Sequence, residues 1–300
     1  MRVLLIGASG FLGAHVRRRA LEAGLTVITA GRADLAGSPR HLVLDLAAQD
    51  PAAIGSALAG VAPHVVVNCT GATSGSTEAL AAANITGTYA LATAMLASPH
   101  PTRLVHLGSA AEYGRSDEGE SVGESAPARP AAPYGATKLA GTRLVQLARQ
   151  AGLDAVVLRV FNPVGAGAPE SGLPGSLAAQ LRDALRTGAD VGLGPLHAFR
   201  DFVDARDVAD AVILAAQAKR LSQPVLNIGS GVATPVRALV KELVGISGFG
   251  GRVHEDDSGS ARSVGLPWQQ ADITMARKAL GWQPRRDLTA SLIDLWRGKL

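Results

Sequence analysis

The stretch Val3-Leu4-Leu5-Ile6-Gly7-Ala8-Ser9-Gly10-Phe11-Leu12-Gly13 decides how the chain folds. Four apolar residues in succession suit a strand covered on both faces, as strands of a parallel sheet are. Glycines at 7, 10 and 13 follow at once, and a helical pattern then runs from Ala14 to Ala23 and stops at Gly24. Glycine permits a tight turn and a close backbone approach to a pyrophosphate, while the helix N-terminus offers N–H donors and positive dipole. Gly7, Ser9, Gly10, Phe11, Leu12 and Gly13 are therefore expected to cradle a dinucleotide.

Outward from this unit, strand and helix alternate. Thr26 to Thr29 reads as a second strand, ending in Ala30-Gly31-Arg32. An acidic side chain here would bind the ribose hydroxyls of NAD. None is present, and Arg32 suits a 2′-phosphate instead. NADP (as NADPH) is the favoured cofactor and NAD the alternative; the plain reading of Arg32 is a solvent-facing arginine. His41 to Leu44 reads as a third strand, with Asp45 and Leu46 beyond it; Asp45 is either a partner for the adenine amino group or a helix cap. Val65 to Val67 is the fourth strand, and Thr70 and Gly71 follow where cofactor ribose would pass. Cys69 reads as buried filler rather than a nucleophile, because no histidine stands in a suggestive relation to it.

A helix from Glu78 to Ala97 carries Asn84, a further cofactor-side candidate, and its apolar residues go nearly all round, so it is expected to be covered on two sides. Arg103 to Leu107 is the fifth strand. It opens into Gly108-Ser109-Ala110-Ala111-Glu112-Tyr113-Gly114, which puts Ser109 at the carboxyl end of a parallel strand, where ligands sit. The polar, Pro- and Gly-rich loop from Arg115 to Pro133 is long enough to suggest a function or mobility. Ala155 to Val160 is the sixth strand and leads to Phe161 and Asn162. The succession argues an α/β fold, a doubly wound parallel Rossmann sheet with right-handed crossovers.

Pro133-Tyr134-Gly135-Ala136-Thr137-Lys138 opens a helix and sets a phenol and an ammonium one turn apart on one face. The lysine can hold the tyrosine's proton chemistry nearer neutrality than its ordinary pKa of about 10. Leu139, Leu144, Val145 and Leu147 spread over more than one face of this helix, and with the helix from Glu78 it is expected to form a homodimer interface.

Beyond residue 162 the alternation ends. A helix from Leu177 to Thr187, a segment Phe199-Arg200-Asp201-Phe202-Val203-Asp204, a helix from Val208 to Ala218, a strand Val225 to Ile228 and two terminal helices are expected. This divides the chain into a dinucleotide-binding domain, 1–162, with 202–220 packing back on it, and a smaller substrate-binding lobe, 163–300. The 300 residues are 47% hydrophobic and 18% charged, enough apolar side chain for a sizeable core. A net charge of +4, with no basic run, gives nucleic acid binding little support. One cysteine excludes an internal disulfide and a cysteine-based zinc site. No apolar run approaches the roughly 18 residues of a membrane span, so no membrane partner and a cytoplasmic location are expected.

Taken together these residues resemble the extended short-chain dehydrogenase/reductases, the group of nucleotide-sugar epimerases, dehydratases and reductases. The resemblance rests on the glycine spacing, Asn84 with Gly87-Thr88, Ser109 ahead of Tyr113-Gly114, Tyr134 with Lys138, Arg159 to Gly165, Arg200-Asp201-Phe202, Asn227-Ile228-Gly229 and Asp272 with Leu280-Gly281-Trp282. It implies that Tyr134 is the general acid/base, that Lys138 lowers its pKa and holds the nicotinamide ribose, and that Ser109 bonds the reacting oxygen. It likewise implies that Asn162, Arg200 and Arg262 touch a sugar nucleotide, the arginines at its diphosphate, and that Phe161 lies by the cofactor.

Departures from the family narrow the reaction. Its 4,6-dehydratases carry an Asp-Glu pair where this chain has Ala110 and Ala111, and no cysteine stands near Ser109 as in the reductases that also epimerise. The reading is an NADPH-dependent 4-ketoreductase of a nucleoside diphosphate 4-keto-6-deoxyhexose, since Arg32 favours a dissociable NADPH, and Gly108 to Gly114 and Arg159 to Pro163 look like the GDP-4-keto-6-deoxymannose reductases. The alternatives are a 4-epimerase with tightly bound NAD and a non-catalytic NADP-sensing protein on the same fold.

Overall fold

The buried apolar runs of the sequence assemble into one parallel sheet. The computed structural model describes residues 1–38, 40–255 and 266–298. In chain order it contains β1 (Arg2–Ile6), α1 (Phe11–Glu22), β2 (Thr26–Gly31), β3 (His41–Val43), α2 (Pro51–Val61), β4 (Val65–Asn68), α3 (Thr77–Ala81), α4 (Gly87–Leu96), β5 (Arg103–Ser109), α5 (Pro133–Gln150) and β6 (Ala155–Val160). Then come β7 (Asn162–Val164), α6 (Leu173–Thr187), β8 (Val191–Leu193), β9 (Phe199–Asp204), α7 (Ala205–Gln217), β10 (Val225–Ile228), β11 (Ala233–Pro235), α8 (Val236–Ser247), β12 (Val253–Glu255), α9 (Thr274–Leu280) and α10 (Leu288–Arg297).

Seven strands lie in the order β10-β6-β5-β4-β1-β2-β3. The chain winds one way from β1 to β2 and the other way from β4, so a crevice opens beyond the carboxyl ends of β1 and β4, where such sheets bind ligands. Alternate residues of each strand feed two cores. Leu4, Ile6, Val66 and Leu104 meet Leu91 and Met95 of α4, while Val3, Leu5, Val67 and Val105 meet Val208 and Val212 of α7. α7 is also joined to α1 by an ion pair of Arg19 Nε with Asp210 Oδ1 at 2.5 Å. A third core, with Leu177, Leu181, Leu239, Leu243 and Leu292, lies under β7, β9 and β11.

Three local expectations are corrected. Val225–Ile228, expected with the second lobe, pairs in parallel with β6 and closes the sheet edge. Its residues are all buried, and a short apolar run carries no mark of which sheet will take it. The single helix expected from Glu78 to Ala97 is interrupted by a π-helical turn, Ala82–Thr86, that widens the backbone where the Asn84 side chain turns inward. Residues 77–96 are apolar and long enough to cross a membrane, yet half of that window is buried inside the fold. Among the described residues three helices, not two, follow β10; the one that the reading lacked, α9, is only seven residues long.

The loop before α5 is pinned rather than loose. The Val122 N–H donates to the Gln270 carbonyl at 2.8 Å, the Asp272 N–H to the Val122 carbonyl at 3.0 Å, and the Arg129 N–H to the Tyr113 carbonyl at 3.1 Å. The Trp268 indole N–H reaches the Glu120 carbonyl at 2.8 Å.

Candidate active site

The turn from β1 into α1 is shaped by its glycines. Gly7 has φ +83°, and a Cβ there would stand 3.0 Å from the Cys69 carbonyl carbon and the Thr70 nitrogen. At Gly13 a Cβ would lie 2.0 Å from the Gly7 oxygen, so only glycine lets the helix sit this close on the turn. Gly10 is the N-cap of α1, with no side-chain cap and no acidic residue in the first turn; Ser9 and Gly10 are exposed, and Phe11 and Leu12 half-buried. The first N–H groups of α1 thus face open space with the positive end of the helix dipole, a cradle that fits a pyrophosphate.

Thr70 and Gly71 leave β4 beside this turn. The Thr70 N–H and hydroxyl both donate to Asn68 Oδ1, at 3.0 and 2.6 Å, so the Asn68 amide must turn its nitrogen toward His106 Nδ1, 3.2 Å away. Burial, with Lys138 adding to it, drives the His106 pKa well below its ordinary value, and the neutral ring carries its proton on Nε2. Asn84 ties the same loop to α5: its Oδ1 accepts from the Ala72 N–H at 3.1 Å, and its Nδ2 donates to the Ala72 carbonyl and to Thr137 Oγ1, both at 3.0 Å.

On the other side of the sheet, Arg32 is exposed just past β2. Asp45 accepts from the Ala47 N–H at 3.0 Å and so closes a turn; the cap of α2 is Asp50, which accepts from the Ala53 N–H at 2.7 Å. Leu46 is buried, close against Gly87. Three strand spacings, about 14 Å, separate β2 from β5. An extended dinucleotide covers such a span.

α5 packs on the end of β5, where Ser109 stands, and carries Tyr134 and Lys138 in its first turns. Gly135 lets α5 lie directly on the turn after Ser109, since a Cβ there would come within 2.3 Å of the Ala111 oxygen. Lys138 is buried and donates from Nζ to the Leu107 carbonyl at 2.6 Å. Burial lowers its pKa, and the charge of Glu112 acts the other way. Tyr134 is half-buried one turn earlier, its carbonyl accepting from the Thr137 hydroxyl at 2.9 Å. Ser109 Oγ accepts from the Ala111 N–H at 3.2 Å and caps a short turn, Ala110–Glu112, which leaves the hydroxyl proton to donate to a ligand oxygen. The Cys69 thiol is pushed up to about 12 by burial and stays protonated, as suits a packing residue.

Beneath this turn lies a polar network whose roles sequence reasoning missed. Glu112 is fully buried; Oε1 accepts from the Ser109 N–H at 2.8 Å and Oε2 from Arg159 Nε at 2.7 Å. The Arg159 guanidinium lies 4.5 Å over the Tyr113 ring, whose hydroxyl donates to Asn227 Oδ1 at 2.7 Å. Asn227 Nδ2 in turn donates to the Val122 carbonyl at 2.8 Å. An available signal was Arg159 itself, a charge in the middle of an otherwise apolar strand.

The candidate substrate residues fall on β7 and β9. Arg200 is buried and donates from Nη1 to the Phe199 carbonyl at 2.7 Å; among the described residues no carboxylate pairs with it, and burial lowers its pKa. A buried guanidinium in that state suits an anionic ligand. Asn162 Nδ2 donates to the Asp201 carbonyl and to Gln269 Oε1, both at 2.9 Å. The Asp201 carboxylate accepts from Ser230, Gly231 and Ala271; burial raises its pKa and these bonds oppose the rise. The Phe161 ring is buried, 6.3 Å from that of Tyr113. Arg262 lies outside the described residues.

Residues 3–229 match the model of the NAD dependent epimerase/dehydratase family. The chain is 41% identical, over 98% of its length and 94% of the other protein, to the dTDP-6-deoxy-L-talose 4-dehydrogenase (NAD(P)(+)) of Kitasatospora kifunensis. Over 71% of its length and 67% of the relative it is 32% identical to a UDP-glucose 4-epimerase of Streptomyces lividans. Among solved structures, MoeE5 in complex with UDP-glucuronic acid and NAD superposes with a TM-score of 0.85 at 27% identity, over 99% of this chain and 98% of that one.

Proposed function

Since the chain belongs to the NAD dependent epimerase/dehydratase family, and is an oxidoreductase of the extended short-chain dehydrogenase/reductase type, we propose that it interconverts the 4-keto and 4-hydroxy forms of a nucleoside diphosphate 6-deoxyhexose, acting as an NADPH-dependent 4-ketoreductase. The observation that carries this reading is the turn after Ser109. Ala110 and Ala111 occupy it, and its one carboxylate, Glu112, is turned into the core against Arg159. No acid is left there to expel a hydroxyl, whereas the groups that serve a carbonyl are present.

A nicotinamide cofactor held at the turn of Gly7, Gly10 and Gly13 would supply hydride chemistry at C4. Tyr134 donates the phenolic proton to O4, so that the carbonyl becomes an alcohol. Ser109 donates its hydroxyl hydrogen to the same oxygen as negative charge gathers on it, and cationic Lys138 favours the phenolate that remains. Arg200 meets the diphosphate. Exposed Arg32 supports NADPH over NADH, and exposed Tyr89, Leu96 and Leu147 support pairing of α4 and α5 with a second copy.

A second reading, a 4-epimerase holding NAD tightly, draws on the likeness to the Streptomyces lividans enzyme. The test is oxidation of NADPH and of NADH, followed at 340 nm, with a dTDP-4-keto-6-deoxyhexose. Turnover that prefers NADPH is expected. Protein that purifies with bound NAD and equilibrates UDP-glucose with its C4 epimer, without consuming cofactor, overturns the reductase.

A further inference from the structure

Two neighbouring carboxamides have their orientations fixed by the backbone carbonyls that their nitrogens meet. Asn162 must aim its nitrogen at the Asp201 carbonyl, 2.9 Å away, because a carbonyl can only accept. Gln269, buried in the segment before α9, aims Nε2 at the Ala110 carbonyl, 3.3 Å away, for the same reason. The Gln269 oxygen therefore faces Asn162 and takes the second hydrogen of Asn162 Nδ2, at 2.9 Å. Both donors of Asn162 are thus used. Oδ1 remains, with no partner among the described residues and outside the set of buried unpaired atoms.

We propose that Gln269 is a positioning residue that locks Asn162 as a pure acceptor, so that this part of the cleft selects a donor on the ligand, a sugar hydroxyl, rather than a phosphate oxygen. This rests on the sugar-nucleotide reading above. Gln269 links the turn that Ser109 caps to Asn162, which in turn bonds the Asp201 carbonyl next to Arg200. The guanidinium, buried without a carboxylate among the described residues, takes the diphosphate, and Asn162 reads the ring beyond it. Without Gln269, one hydrogen of Asn162 is released, and the amide can rotate to offer a donor.

The test is calorimetric binding to the NADP-loaded full chain, using dTDP, dTDP-glucose and the 2-deoxy-2-fluoro and 3-deoxy-3-fluoro forms of dTDP-glucose. Fluorine cannot donate, so the wild type should bind one fluoro analogue about three- to tenfold more weakly than dTDP-glucose, the worth of one neutral hydrogen bond. In Gln269→Met, of similar volume, that gap should close and dTDP-glucose should weaken by a similar factor, while dTDP binds as before. Equal weakening of dTDP would mean a phosphate contact or a merely structural role and overturns the proposal, as does a fluoro gap unchanged in the variant. Should the variant fold poorly, a wild type that binds both fluoro analogues as well as dTDP-glucose is sufficient to overturn it. Failure of dTDP-glucose and UDP-glucose alike to bind the wild type instead removes the sugar-nucleotide reading, and this inference with it.

Discussion

The ammonium of Lys138 donates to the carbonyl of Leu107 at 2.6 Å from a side chain that is almost wholly buried, two residues before Ser109 on the same strand. Charge held there costs stability, because burial has lowered the folded pKa below the ordinary 10.5. Burial disfavours the charged form, so the folded chain bears a desolvation cost that the unfolded chain does not. Lys138→Met removes that cost but leaves the Leu107 oxygen unpaired, a loss of about 1–3 kcal/mol. The two effects offset. Thermal unfolding at pH 7 should shift little, while turnover should fall by about 10²- to 10⁴-fold, the scale of a general acid/base contribution. A variant that keeps near-normal turnover would remove Lys138 from the chemistry.

Glu112 and Arg159 make the opposite case, a charge pair on which folding depends. Their side chains are 0% and 3% exposed and meet at 2.7 Å. Glu112→Gln leaves a buried guanidinium without its counterion, and breaking such a pair costs about 3–5 kcal/mol. Urea unfolding should show that loss, and the double variant Glu112→Gln, Arg159→Met should recover much of it, because no uncompensated charge is then left buried. Equal losses in the single and double variants would mean that the unpaired guanidinium is not what destabilises Glu112→Gln, and that folding does not depend on the ion pair.

Most of the sheet was legible because strands buried on both faces are written as uninterrupted apolar runs: Ala155–Val160 lies where its residues predict, and β1, β2 and β4 differ by one or two residues at their ends. Gly7 and Gly13 were legible as a tight strand-to-helix turn, since the close approaches they permit admit no side chain. Long-range pairing was not. Nothing local to Val225–Ile228 says that it will lie beside β6, and nothing local to Gln269 says that its amide will reach Ala110, 159 positions away in sequence. Tyr134 and Lys138 declared themselves by helical spacing; Glu112 did not, because a carboxylate three residues past Ser109 reads as a surface charge until Arg159 is seen opposite it.

His106 should set part of the acid stability. Its ring is buried among Asn68, Lys138 and the backbone near Gly141, and its folded pKa lies well below the ordinary 6.5. Between those two values the unfolded chain binds a proton that the folded protein refuses, so stability is full above pH 6.5 and falls as the solution is acidified, by at most about 1.4 kcal/mol per pH unit. A proton on Nδ1 would also face the Asn68 amide nitrogen, donor against donor, and turning that amide would break the bonds that hold Thr70 beside the Gly7 turn. His106→Gln has nothing to titrate. Unfolding free energies measured in urea from pH 7.5 to pH 5 should therefore fall less steeply in the variant than in the wild type. The slope should not vanish, because His15, buried and likewise lowered, remains in both proteins. Parallel curves would mean that His106 takes up its proton in the folded state, and the fixed orientation of Asn68 would then have to be abandoned.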